Sequence, residues 1–243
     1  MPASAAEQTF SGEYRISYLG LTIARTTFNS RFDAGTYKVE GTVTSAGLAA
    51  LFDDTRGTVS TSGRFAAGTT QAAAFRVNYT EGTKSQLTTI AFQDGTVTST
   101  VNIPPLKKRG GDWIPLQPAH LTSVTDPLSA TLVRADSPAE VCRRTVRIYD
   151  GEMRADLTLT PDPKGELDVS GYDGPKVTCR LGFTPVSGYR KGRKALEFLK
   201  NRSQMRVAFA PLGTTGVYAP IYATIGTQIG TLTVTARRFE PDN

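Results

Sequence analysis

The chain has 243 residues, a net charge of +6 and an isoelectric point near 9.4. No apolar run approaches the ~18 residues that a membrane-spanning helix needs, which argues against a transmembrane segment. No linker or shift in composition divides the sequence, so we expect a single domain over residues 7–243. The excess of basic over acidic residues favours anionic partners such as anionic lipid, lipopolysaccharide or peptidoglycan. A basic surface without any such partner explains the excess equally well.

Residues 1–6 are similar to the end of a secretory signal peptide. Ala3-Ser4-Ala5 is the small-residue pattern found before a cleavage site, but the positive and apolar regions that should precede it are missing. We interpret residues 1–6 as the remainder of a removed signal peptide, with Met1 added for expression. The alternative is an Ala-rich disordered start. The first interpretation predicts an exported, periplasmic protein.

Apolar and polar residues alternate with a period of two along most of the chain, which is typical of β-strands. Tight turns such as Asp94-Gly95 and Asp150-Gly151 separate the alternating runs. The spacing of the turns predicts an all-β antiparallel meander of about fourteen strands. The predicted strands cover 10–18, 21–28, 36–44, 58–65, 73–79, 85–92, 96–101, 142–149, 152–159, 166–172, 176–183, 204–210, 216–225 and 230–239.

Two or three short helices interrupt this pattern. In residues 46–52, Leu48, Leu51 and Phe52 are spaced i, i+3, i+4, so one or two helical turns would present an apolar face. That face either plugs one end of the sheet's core or forms an apolar gate at a lipid-binding mouth. A second helix is predicted over residues 126–133, with Asp126 as its N-cap, and a third over 195–200.

The two cysteines, Cys142 and Cys179, favour one disulfide in an oxidising compartment, and the alternative is a pair of unpaired buried thiols. They fall in the first and fourth strands predicted for residues 142–183. A flat meander would hold those strands roughly 14 Å apart, whereas a disulfide needs Cα atoms within about 7 Å. The bond therefore predicts that the meander curls into an open or spiral β-barrel.

Several short motifs together resemble a known family. They are 126–129 (Asp-Pro-Leu-Ser), Cys142 with 148–151 (Ile-Tyr-Asp-Gly), 179–180 (Cys-Arg), 210–213 (Ala-Pro-Leu-Gly), 218–220 (Tyr-Ala-Pro) and the closing strand 230–239. This set resembles the domain of unknown function 3108, a family of Gram-negative envelope proteins. The resemblance implies export to the periplasm and an all-β fold, and it carries over no catalytic residue. The architecture is also similar to periplasmic β-spiral envelope-integrity proteins and to lipoprotein carriers with an open barrel.

Catalytic chemistry has little support in the sequence. His120 is the one histidine, and neither a G-x-S-x-G elbow nor residues at metal-ligand spacing accompany it. The glycines mark hairpins and do not form a phosphate-binding loop. Asp53 and Asp54 are adjacent carboxylates in a loop, which is more typical of a solvated surface than of a cation site. We therefore expect no enzymatic activity, no cofactor and no metal site.

Three arginines in the central hairpin, Arg143, Arg147 and Arg154, form a candidate anion site for phosphate or carboxylate. The alternative is a set of cross-strand ion pairs with Asp150 and Asp156 on a solvated face. Nucleic acid is not expected as a partner, because the basic clusters lack interleaved aromatic residues.

Together these observations predict a non-enzymatic periplasmic binding protein that contributes to envelope integrity and holds a lipid, acyl chain or lipoprotein in an apolar concavity. The alternative is a structural protein of the envelope that binds peptidoglycan or a protein partner through the outer face of its sheet.

Overall fold

A computed structural model describes residues 7–33, 35–47, 50, 55–66, 68–107 and 110–241. The candidate apolar gate, Leu48, Leu51 and Phe52, lies outside the described residues, as do Asp53 and Asp54.

Sixteen β-strands and two α-helices form within these ranges, which matches the all-β prediction closely. The strands are β1 (Gln8–Tyr18), β2 (Leu21–Asp33), β3 (Thr36–Ser45), β4 (Thr55–Ala66), β5 (Thr69–Glu81), β6 (Lys84–Gln93), β7 (Thr96–Ile103), β8 (Trp113–Ile114), β9 (Val133–Arg134), β10 (Arg144–Tyr149), β11 (Arg154–Pro161), β12 (Val177–Ser187), β13 (Tyr189–Arg190), β14 (Met205–Pro211), β15 (Val217–Thr227) and β16 (Gly230–Pro241). The helices are α1 (Pro138–Val141) and α2 (Lys194–Asn201), and 3₁₀ turns cover Pro118–Leu121 and Ser129–Thr131.

One antiparallel sheet contains fourteen of these strands, in the order β10-β11-β12-β14-β15-β16-β1-β2-β3-β4-β5-β6-β7, with β9 paired to β15. The chain therefore builds two meanders, β1–β7 and β10–β16 without β13, and the β1–β16 ladder joins them into one sheet. The remaining strands, β8 and β13, form a separate two-stranded ribbon.

The ends of the sheet, β7 and β10, approach each other without forming a ladder, so the barrel is open. Asn102 on β7 donates a 3.1 Å hydrogen bond to the carbonyl of Gly151, at the turn after β10. The gap is bridged by the loop that carries Val124 and Thr125. The Val124 amide donates to the Gly95 carbonyl at 2.8 Å, and Thr125 exchanges two hydrogen bonds with the backbone of β10.

Apolar side chains fill the curled sheet in three clusters, and a fourth lies where residues 167–172 pack across β14 and β15. Leu132 and Leu128 from the bridging loop join the aromatic cluster around Phe10, Phe32 and Tyr37. The loop is therefore part of the core, and burial of its apolar side chains contributes to holding it in the gap.

Cys142 and Cys179 form the disulfide, with their Cα atoms 5.3 Å apart. The expected separation of three strand spacings was wrong, because residues 166–172 form no strand and Cys142 lies at the end of α1, before β10 begins. Cys179 sits on β12, two strands from β10. The contact of this short helix with β12 is thus enough to bring the sulfurs together.

The helix predicted for residues 126–133 was also wrong, since only the 3₁₀ turn Ser129–Thr131 forms there. Asp126 nevertheless caps this turn, because its Oδ1 accepts the amides of Leu128 and Ser129 at 2.9 and 2.8 Å. The predicted short helix near 195–200 does form, as α2.

Candidate functional site

A cleft of about 560 Å³ opens at the end of the sheet where β4 turns into β5 and β6 turns into β7. The first residues of β10 form its opposite wall, and the bridging loop forms its floor. Its lining includes Gly68, Thr70, Asp94, Thr125, Arg143, Arg144 and Arg147. Arginine and hydrogen-bonding side chains share this cleft about equally with apolar groups such as Val124, Leu132 and Val146, so it differs from the apolar concavity that the sequence predicts.

Arg143, just before β10, and Arg147, on β10, both line this cleft. Both side chains are exposed. Arg147 lies opposite Asp156 in the β10–β11 register, but Asp156 is already engaged on its own strand by Arg154. The positive charge of Arg147 thus remains available at the cleft.

Arg154, the third member of the candidate anion site, does not belong to the cleft. It is only 5% exposed, and its Nη2 lies 2.8 Å from the Asp156 Oδ1. The contact is an ion pair by distance rather than an aligned hydrogen bond. Arg154 also faces Ser187 on β12, at the end of β11 far from Arg143. The three-arginine site predicted from the sequence is therefore not assembled.

Arg144 takes the place of Arg154, and sequence reasoning missed it. Its Nη2 donates to the carbonyls of Arg134 and Glu140 at 3.2 and 3.3 Å, which fixes the guanidinium across the wall of the cleft. Burial lowers the pKa of this guanidinium from its ordinary value, and the negative charge of Glu140 opposes that shift. Its Nε is buried and has no hydrogen-bond partner in the part of the chain that the structure describes.

Thr125 contributes a second unpartnered polar group to the same cleft. Its amide donates to the Arg147 carbonyl and its own carbonyl accepts from the Tyr149 amide, each at 2.9 Å. The residue is 3% exposed, and its buried Oγ1 meets no partner among the described atoms. Buried polar groups are normally hydrogen-bonded, and here two unpartnered ones belong to residues that line one cleft.

The only carboxylate among the lining residues named above is Asp94, and it is already paired. Arg64 on β4 holds it through a 2.7 Å ion pair between exposed side chains. Three arginines therefore face one neutralised carboxylate, and the cleft is a region of positive potential.

A buried polar cluster holds the floor of the cleft in place. The Asp126 Oδ2 accepts hydrogen bonds from Thr61 at 2.8 Å and Ser129 at 2.5 Å. The Tyr37 hydroxyl donates to the Ser129 Oγ at 2.7 Å. Asp126 and Ser129 are fully buried, so the cluster pins the bridging loop to β3 and β4 immediately beside Thr125. Burial raises the pKa of Asp126, while its hydrogen bonds to Ser129 and Thr61 oppose the shift.

The other residues singled out in the sequence lie elsewhere. His120 belongs to the 3₁₀ turn Pro118–Leu121, where its Nδ1 accepts a 3.2 Å hydrogen bond from the Gln117 amide. No group of three or more His, Cys, Asp and Glu in the described ranges could hold a metal ion. Among those same residues, no helix is both long and apolar enough to cross a bilayer.

Comparison with known proteins gives a family. A search of curated proteins finds no match. Among solved structures, the chain is similar to a beta-barrel-like protein of domain of unknown function DUF1849 from Brucella abortus, with 9% identity, a TM-score of 0.49 and 98% of each chain covered. The family described as "Protein of unknown function (DUF3108)" matches residues 13–237, and the chain therefore belongs to the DUF3108 family.

Proposed function

We propose that the protein is a non-enzymatic binding protein of the cell envelope, whose basic cleft holds the phosphate or carboxylate group of an envelope component. The observation that carries this proposal is the pair of buried, unpartnered groups, Arg144 Nε and Thr125 Oγ1, beside the exposed guanidinium groups of Arg143 and Arg147. A periplasmic location is part of the proposal, supported by the disulfide and by the signal-peptide-like residues 1–6.

An anion fits this arrangement better than a neutral or apolar ligand. Each buried polar group without a partner costs roughly 1–3 kcal/mol, and both groups belong to residues that line the cleft. Guanidinium groups donate in a planar fork that matches phosphate and carboxylate oxygens, so Arg143 and Arg147 would add charge-assisted hydrogen bonds. The cleft volume of about 560 Å³ lies within the usual range of small-ligand sites.

Two kinds of envelope component supply such a group. A phospholipid or lipoprotein would be held by its phosphate headgroup, with its acyl chains outside the polar cleft. Peptidoglycan would be held by the carboxylates of its peptide stems. The three arginines of the lining favour headgroup or peptide recognition over enclosure of an acyl chain, so a contribution to envelope integrity would come from tethering and not from carrying lipid inside the barrel.

The test is calorimetric titration with dihexanoyl phosphatidylglycerol below its micelle concentration, alongside sedimentation with purified peptidoglycan sacculi. The double variant Arg143→Gln, Arg147→Gln should bind the responding probe at least tenfold more weakly, as expected for the loss of charge-assisted hydrogen bonds. The matched control is Arg25→Gln, Arg31→Gln, which removes two exposed arginines from β2 and should bind normally. Failure of the wild-type protein to bind either probe, or equal binding by both double variants, would contradict the proposal.

A further inference from the structure

Three large aliphatic side chains are exposed at the tips of two neighbouring hairpins. Leu19 and Leu21, at the β1–β2 turn, are 63% and 60% exposed, and Ile229, in the β15–β16 turn, is 78% exposed. The Leu19 amide donates to the Thr231 carbonyl at 3.1 Å, so the two hairpins lie side by side. We call these three residues the apolar tips.

The backbone at Leu19 makes its apolar side chain unexpected. Leu19 has φ +49° and Gly20 has φ +83°, the conformation of a two-residue hairpin turn in which Asn, Asp or Gly is strongly preferred at both positions. A bulky apolar residue with positive φ is rare, and here its side chain gains little burial within the protein. Local folding therefore does not account for a leucine at this position, whereas contact with another apolar phase would.

Positive charge lies beside the apolar tips. Residues 191–202, which include α2, carry one exposed acid, Glu197, and five exposed basic residues: Lys191, Arg193, Lys194, Lys200 and Arg202. The segment that follows contacts the β15–β16 hairpin, since the Ser203 Oγ donates to the Gly226 carbonyl at 2.7 Å. Exposed aliphatic side chains next to an excess of Lys and Arg are the combination that binds anionic lipid surfaces.

We infer that the apolar tips insert into the surface of an anionic lipid bilayer, with residues 191–202 lying against the headgroups.

This orientation leaves the basic cleft free. Consecutive antiparallel strands alternate in direction, so the turn after β1 and the turn after β6, which lines the cleft, lie at opposite ends of the sheet. The docked protein would therefore present the cleft away from that bilayer, and this inference does not depend on the proposed anion site.

The test is flotation of the full chain with vesicles of phosphatidylcholine containing phosphatidylglycerol, compared with phosphatidylcholine alone. Wild-type protein should bind the anionic vesicles, more weakly as the salt concentration rises. The triple variant Leu19→Asn, Leu21→Thr, Ile229→Thr should bind at least tenfold more weakly, since a fully buried aliphatic side chain contributes about tenfold or more to an affinity. Asn at position 19 suits the positive φ, so this variant should fold normally.

A control separates the apolar tips from general surface hydrophobicity. Val101→Thr with Ile103→Thr removes two exposed aliphatic side chains from β7, five strands away from β2 in the sheet, and should leave vesicle binding unchanged. The inference is overturned if wild-type protein does not float, or if the triple variant floats as well as wild type. It is also overturned if the triple variant only abolishes concentration-dependent self-association, which would assign the apolar tips to a contact between copies.

Discussion

The hydroxyl of Thr61 on β4 donates a 2.8 Å hydrogen bond to the carboxylate of Asp126, 65 residues further along the chain. This contact joins the N-terminal meander, which contains Thr61, to the loop that bridges the gap in front of β10. Because Asp126 also accepts two backbone amides and the Ser129 hydroxyl, it is the group through which the loop is fixed.

We predict that Asp126→Ala destabilises the fold by about 3 kcal/mol or more, because four buried donors lose their acceptor at once. Asp126→Asn should cost about half as much, since its Oδ1 can still accept both amides while its Nδ2 donates to Ser129. Urea unfolding measures both values. The control Asp136→Ala removes an exposed carboxylate ten residues along and should change the free energy of unfolding by less than about 0.5 kcal/mol. Equal losses at positions 126 and 136 would contradict the assigned role.

The buried carboxyl also predicts a pH dependence. Burial raises the pKa of Asp126 above its ordinary value of 3.8, so the folded state binds this proton more tightly than the unfolded chain does. Its contribution to the free energy of unfolding is therefore fully present below pH 3.8 and is lost as the pH rises through the folded-state pKa. Unfolding wild type and Asp126→Asn from pH 3.5 upward should show wild type losing stability relative to the variant. Parallel curves would show that Asp126 does not titrate in this range.

Much of the sheet could be predicted from period-two alternation, but residues 166–172 show its limit. Leu167 and Val169 alternate with exposed polar residues, and this was interpreted as a strand. The two side chains instead pack on the face of β14 and β15, in the cluster that contains Ala208 and Ile221. Alternation reports that one side of an extended segment is buried; it does not report which backbone groups form hydrogen bonds.

The cleft was harder to predict because it depends on which strands meet. Arg143 and Arg147 both line the cleft, but alternation along the hairpin groups them with Arg154, which lies elsewhere. The position of Arg154 depends on the β10–β11 register and on its ion pair with Asp156. The position of Arg144 depends on hydrogen bonds to Arg134 and Glu140, which lie outside the β10–β11 ladder. Thr125 gave no local signal at all, because its burial results from pairing between distant segments.

The disulfide should stabilise the end of the sheet next to the cleft. It closes a loop of 37 residues, and replacing both Cys142 and Cys179 by Ala should lower the free energy of unfolding by about 2–5 kcal/mol. Thiol titration of unfolded, unreduced wild-type protein should detect no free thiol. Two reactive thiols in that assay, or unchanged stability of the double variant, would contradict this prediction.

Close packing at the other end of the sheet gives a sharper prediction. Gly188 has φ +77°, and a Cβ added there would lie 1.8 Å from the Glu152 carbonyl oxygen. Gly188→Ala should therefore destabilise the protein by at least about 3 kcal/mol, more than the roughly 1 kcal/mol that positive φ alone costs an alanine. Gly171→Ala is the matched control, because Gly171 has φ +84° and open space around its Cβ position. Thermal unfolding of the two variants measures the difference, and similar shifts would refute the packing argument.

Thr125→Val separates binding from stability within the cleft. The substitution keeps the shape of the side chain and removes a buried hydroxyl without a described partner, so the free energy of unfolding should stay within about 0.5 kcal/mol of wild type or increase. Binding of the probe that responds in the anion titration should fall about tenfold, because the hydroxyl could no longer donate to a bound oxygen. The control is Thr131→Val, which removes a hydroxyl that donates to the Leu128 carbonyl at 2.7 Å. Its free energy of unfolding should fall by about 1 kcal/mol while binding of the probe persists. A Thr125→Val protein that is clearly less stable and binds normally would show that its hydroxyl serves the fold and not a ligand.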